Sequence, residues 1–141
     1  MKPTEVQDEI IAAFNAQGEA FEQFDYLLQL AAELDEMDES DKVSDVLVDG
    51  CQSQVWLYLD WTGDAPGKGF HLRGDSDTLM VRGIIRIFEL MFNGQDAAAV
   101  AECPIEFVEK TELMYIFDSK RQAGVASIVG DMKEFAKAAL A

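Results

Sequence analysis

Cys51, Cys103 and His71 are the only cysteines and the only histidine in the chain. A zinc or iron–sulfur centre needs three or four Cys, His or carboxylate ligands at compact spacing. These three are scattered and form no CxxC or HxxxH pattern, so the sequence offers no metal centre. A Ser/His/Asp hydrolase would have to use His71 as its base, and no nucleophile elbow accompanies it. His71 fits better as a packing or surface residue of a strand. The glycine-rich run Gly63-Asp64-Ala65-Pro66-Gly67-Lys68-Gly69 lacks the spacing and the following Ser/Thr of a phosphate cradle. It reads as a hairpin loop.

Thiol chemistry remains. Cys103 precedes Pro104 at the junction of two elements, where a cysteine behaves as a small buried residue. Cys51 stands in Val48-Asp49-Gly50-Cys51-Gln52-Ser53-Gln54-Val55-Trp56-Leu57. Gly50 permits a sharp turn or a positive φ, and Gln52, Ser53 and Gln54 are polar neighbours rather than core partners. A thiol at such a loop tip could meet another protein's active site. No adjacent Lys, Arg or His lowers its pKa, and Asp49 would raise it. A self-sufficient nucleophile is therefore poorly supported. A thiol that only accepts an already activated sulfur needs less from its surroundings. A functional thiol and a plain turn cysteine both stand at this point.

The elements around that loop follow from periodicity. Thr4 to Gln7 fits a capping box, and a first helix is expected from about Glu5 to Ala16, ended by Gly18. Phe21, Phe24, Leu27, Leu28, Ala31 and Leu34 recur at helical spacing in a second. The run Glu33–Asp41, six of nine residues acidic, is a solvated connector. Val43, Val46 and Val48 allow a short edge strand over Lys42–Val48. From Gln54 the alternation predicts a strand with Val55, Leu57, Leu59 and Trp61 on one face. Thr62–Gly69 turns it back into a partner strand, Gly69–Arg73. Asp75-Ser76-Asp77 offers a helix start, followed by a helix over Thr78–Phe92, apolar nearly all round and so buried. Short helices are expected at Asp96–Glu102 and Pro104–Glu112. A last helix starts near Asp118 or Ser119, with Ser119 to Gln122 as a capping box. Gly124 and Gly130 in it point to close packing. The architecture is α+β: helices, a small antiparallel sheet of about three strands in mid-chain, then helices.

A chain of 141 residues is long enough to fold as one domain without a metal or disulfide. With 27 acidic against 11 basic residues its formal charge is −16. That field repels phosphate backbones and anionic lipid headgroups, which argues against nucleic-acid binding and membrane docking and suits a partner with a basic surface. The N-terminal residues carry no secretory pattern, and two distant cysteines make no disulfide framework. A reducing, cytoplasmic compartment and a free Cys51 thiol are expected.

Taken together, these residues resemble the SufE family of cysteine-desulfuration proteins. Gly50 to Leu57 is similar to the family's sulfur-accepting loop and following strand. Arg73-Gly74-Asp75-Ser76-Asp77 with Val81-Arg82-Gly83 resembles the strand-to-helix segment behind it. Phe92-Asn93-Gly94 fits the end of the central helix, and Ser119-Lys120-Arg121 with Gly124 the start of the last one. Tyr26 to Leu30 resembles the family's second helix. The chain departs from the pattern at Asp49, over Ser44–Val48 and at Ser119.

The resemblance implies a single SufE-like domain over residues 1–141, with the SufE/NifU-like α+β fold. It implies a cytoplasmic carrier of persulfide sulfur that is no independent enzyme. Cys51 would accept sulfur from a cysteine desulfurase, SufS-like or CsdA-like, stimulate it, and pass sulfur to an iron–sulfur scaffold or another acceptor. Pyridoxal phosphate would belong to the desulfurase, leaving this chain without a cofactor. Gly50, Gln52 and Ser53 would shape the loop, and Asp75, Asp77 and Arg121 would be structural or docking residues. The alternative is an interaction module in which Cys51 is incidental.

Overall fold

The computed structural model describes residues Met1–Ala141. Six helices and one hairpin run in the order α1 (Pro3–Gln17), α2 (Ala20–Glu33), β1 (Val55–Trp61), β2 (Phe70–Ser76), α3 (Leu79–Phe92), α4 (Ala97–Glu102), α5 (Leu113–Ile116) and α6 (Ser119–Ala138). The fold is α+β, as the sequence pattern predicts. The two strands pair antiparallel from Val55↔Ser76 to Trp61↔Phe70.

The expected third strand does not form. Residues 42–48 hold a 3₁₀ turn, Ser44–Val46, and a single antiparallel bridge, Leu47↔Trp56. The valines explain this. Val46 and Val48 are two residues apart, but Val43 and Val46 are three apart, the spacing of a 3₁₀ turn rather than a strand. Only Val48 is buried, and its N–H bonds to the Val55 carbonyl at 2.9 Å, whereas Val43 is 42% exposed.

Helix α3 is the centre of the molecule. Its residues Ile84, Ile85, Ile87, Phe88, Met91 and Phe92 are at most 1% exposed. It packs on α2 so closely that a Cβ at Gly83 would lie 2.6 Å from the Leu27 carbonyl oxygen. Only glycine admits that approach. The helix starts later than Asp75, because β2 continues through Ser76 in register with Val55. A T-shaped and stacked aromatic series ties the layers together: Phe107–Phe88–Phe92–Phe70–Trp61–Phe135.

Pro104–Glu112 is not a helix but a series of turns. Two buried glutamines satisfy its backbone from outside. Gln7 donates to the Pro104 carbonyl at 2.8 Å and accepts from the Glu106 and Phe107 amides. Gln23 accepts from the Glu112 amide at 2.9 Å. Gln7 is therefore not part of a capping box at Thr4; α1 opens instead at Pro3, which suits a first-turn proline. Helix α6 is capped by Asp118, whose carboxylate accepts from the Arg121 amide at 2.8 Å. Gln122 reaches back to the Met114 and Phe117 carbonyls.

Candidate functional site

Cys51 lies on the loop between the Leu47 bridge and β1. Gly50 has φ +84°, and a Cβ there would also sit 2.8 Å from Ser127 Oγ. The backbone conformation favours glycine, and any side chain there would also have to displace the Ser127 hydroxyl. The turn drops Cys51 against α6, where its Sγ lies 3.5 Å from the Gly124 carbonyl oxygen. Gly124 packs against Cys51, but a Cβ there would meet the sulfur at 3.6 Å, an ordinary contact that does not require glycine. Gly130 has no such neighbour, since nothing lies within 4 Å of where its Cβ would be.

The thiol is half-buried in a small pocket with a floor of Val55, Val81, Val125 and Ile128 and a rim that includes Lys120 and Arg121. Its empty volume, mouth included, is about 260 Å³. Burial is the main cause pushing the Cys51 pKa above the ordinary thiol value; the Asp131 carboxylate adds to it, and Arg121 opposes both. Asp131 is itself raised, by burial and by Glu134 and Asp49. The carboxylate acting most on the thiol thus comes from α6, and Asp49 acts on Asp131. The resting site holds a protonated thiol, as neutral sulfur suits an apolar pocket.

Ser53 and Arg121 line the Cys51 pocket, and Thr78 connects Ser53 to Asp77. Arg121 Nη1 donates to Ser53 Oγ at 2.6 Å. Thr78 Oγ1 stands 2.6 Å from Ser53 Oγ and 3.2 Å from Asp77 Oδ1. Asp77 Oδ1 accepts from the Gln54 amide at 3.1 Å, while its own amide donates to the Gln54 carbonyl. Gln52 is exposed and lines the mouth of the Cys51 pocket.

Asp75 is elsewhere. It is 2% exposed, pairs with Arg82, and accepts from the Met37 and Ser76 amides. Arg82 also donates to the Leu34 carbonyl at 2.9 Å. This pair clamps the acidic connector onto the sheet and stays out of the thiol pocket. His71 sits 3.4 Å from the Asp60 carboxylate, and Cys103 is buried at 3% exposure. Thr78 and Asp131 are the site residues that sequence reasoning missed. Thr78 falls at a helix start, which is reason enough for a threonine, and Asp131 is distant from Cys51 in sequence.

Fold and site together define a small α+β domain that shields one thiol on a short, well-anchored loop. A family model described as "SufE: Fe-S metabolism associated domain" matches residues 8–136, and the chain belongs to the SufE family. It is 32% identical over 134 residues to an uncharacterized SufE-like protein of Rhizobium meliloti (strain 1021), covering 94% of this chain and 96% of that one. A SufE-like protein of Rhizobium etli is 31% identical over 131 residues, covering 92% and 88%. The solution structure of a hypothetical protein from Thermus thermophilus superposes with a TM-score of 0.77 at 18% identity, over 99% of this chain and 98% of that one. That last likeness bears on the fold alone. Family membership ties the chain to iron–sulfur metabolism.

Proposed function

We propose that this protein accepts sulfur on Cys51 from the persulfide of a cysteine desulfurase and delivers it to iron–sulfur cluster assembly. The observation that carries this reading is the placement of Cys51: a half-buried thiol on a glycine-hinged loop, set in an apolar pocket beside Arg121. A core cysteine has no use for such a loop, and a self-activated nucleophile would not have its pKa raised.

The exchange needs no oxidant. The Cys51 thiolate attacks the terminal sulfur of the donor persulfide. A new S–S bond forms, the donor S–S bond breaks, and the donor cysteine leaves as its thiolate with the bonding pair. Cys51 becomes Cys51–S–SH, and the same exchange runs in reverse onto the next acceptor. Thiolate fraction and access set the rate of such exchanges. Burial limits both at rest, so the thiol becomes reactive where docking draws it from the pocket. The step uses no cofactor on this chain; pyridoxal phosphate chemistry belongs to the desulfurase. Two free thiols, Cys51 and Cys103, suit a reducing cytoplasm, and no helix is long and apolar enough to cross a membrane.

The raised pKa of Cys51 also favours a second reading, in which the chain docks on a partner and its thiol is incidental. Incubation with a SufS-like or CsdA-like desulfurase and cysteine separates the two. The carrier gains the mass of one sulfur atom on the Cys51 peptide, and Cys51→Ser abolishes both the adduct and the stimulation of sulfide release. Full stimulation by Cys51→Ser, without an adduct on the parent protein, would establish the second reading.

A further inference from the structure

Thr78 occupies the position just before α3, where a threonine hydroxyl ordinarily accepts from the helix's first amides. Here it makes no such cap. Its Oγ1 is directed to the Cys51 loop instead, 2.6 Å from Ser53 Oγ. That diversion leaves the helix end uncapped by its own side chain.

Counting protons orders the contacts. Each hydroxyl has one hydrogen to give, while the Arg121 guanidinium can only donate and the Asp77 carboxylate can only accept. All three contacts are satisfied together in one direction: Arg121 to Ser53, Ser53 to Thr78, and Thr78 to Asp77. The chain runs from a cation to an anion, the arrangement in which each bond polarises the next. It joins the N-terminal turn of α6 to the start of α3 across the loop. Ser53 and Thr78 are 25 residues apart, and Ser53 and Arg121 are 68 apart. The links stand beside Cys51, whose own hydrogen bond to the loop's surroundings is a weak sulfur contact to the Gly124 carbonyl.

We propose that Thr78 is a positioning residue for Cys51: its hydroxyl is the middle link of a latch, Arg121–Ser53–Thr78–Asp77, that keeps the loop in its half-buried position and breaks when the thiol leaves its pocket. For the carrier reading, on which its purpose rests, the latch sets how often the resting protein offers its thiol. A thiol offered too often would be lost to adventitious oxidants and alkylating agents; one never offered could not meet a donor sulfur.

The test is the rate of Cys51 alkylation by iodoacetamide in the isolated full chain, followed by mass spectrometry of the Cys51 and Cys103 peptides. Thr78→Val keeps the shape and removes the hydroxyl. It is expected to speed Cys51 alkylation about fivefold, the ratio implied by one net hydrogen bond, at an unchanged rate for the buried Cys103. Thr78→Ser restores the wild-type rate. Ser53→Ala speeds the reaction similarly, and the Ser53→Ala/Thr78→Val double variant adds little more, because both break one chain. A wild-type Cys51 rate in Thr78→Val, failure of Thr78→Ser to rescue, or parallel acceleration of Cys103 would overturn the latch. The assay contains no desulfurase. Faster alkylation in a protein that takes up no sulfur would leave the latch standing and remove the carrier reading.

Discussion

At the scale of the residue, the chemistry of Cys51 is governed by what surrounds its sulfur rather than by its neighbours in sequence. Burial comes first, the Asp131 carboxylate second, and Arg121 pulls the other way. Alkylation proceeds through the thiolate, so the rate climbs about tenfold per pH unit while the thiol is mostly protonated. Because the pKa is raised, that climb continues past the pH at which an ordinary thiol, near 8.5, begins to level. Asp131→Asn removes a charge that disfavours the thiolate. The expected outcome is a midpoint moved to lower pH and faster alkylation at neutral pH, read from the pH–rate profile of the Cys51 peptide. A midpoint that stays put would mean that burial alone sets the shift. The resemblance singled out Ser53, Asp77 and Arg121 one by one. Thr78 and Asp131, which join or oppose them, were not legible, since contacts across so many residues leave no local pattern.

The elements that place the loop were read with uneven success, for reasons visible in their side chains. Helix α3 and strand β1 were legible from their own residues. Helix α3 is a long apolar run closed by Asn93-Gly94, and β1 is an apolar, β-branched and aromatic run, although Val55, Trp56 and Leu57 are all buried rather than alternating. The turns over 104–112 were hidden because their backbone partners are Gln7 and Gln23, on other helices. Asp75 belongs to the same class. It reads as a helix start beside Ser76 and Asp77, yet it is a strand residue paired with Arg82 and bonded to the Met37 amide. Its role as a clamp has a measurable consequence. Asp75→Ala strands the Arg82 guanidinium, 15% exposed, without its anion, and removing one partner of a buried ion pair costs about 3 kcal/mol or more. Urea unfolding should show a loss of that size, and hydrogen exchange at the Met37 amide should quicken. A loss below about 1 kcal/mol would place Asp75 among exposed, weakly coupled pairs.

For the whole molecule, the dominant feature is charge. A formal −16 spread over 141 residues makes a field that attracts a basic partner and repels nucleic acid. Its local form matters at the thiol. Asp49, Asp131 and Glu134 are exposed on one side of the loop, and Lys120 and Arg121 line the pocket rim on the other. A partner that approaches Cys51 with basic groups gains twice. The attraction steers encounter, and a cation set against Asp131 removes part of what holds the thiol protonated. Such steering is screened within a Debye length, about 8 Å at physiological ionic strength and shorter above it. On the proposed carrier reading, the concentration of this protein needed for half-maximal stimulation of a cysteine desulfurase should therefore rise several-fold from low to high salt. The rate at saturation should change far less, since screening acts on association before it acts on the bound thiol. Asp49→Asn/Glu134→Gln, outside the latch and the pocket floor, should flatten that salt dependence. Half-saturation that ignores salt in the parent protein would show that the negative field serves solubility and that docking is driven by apolar contact.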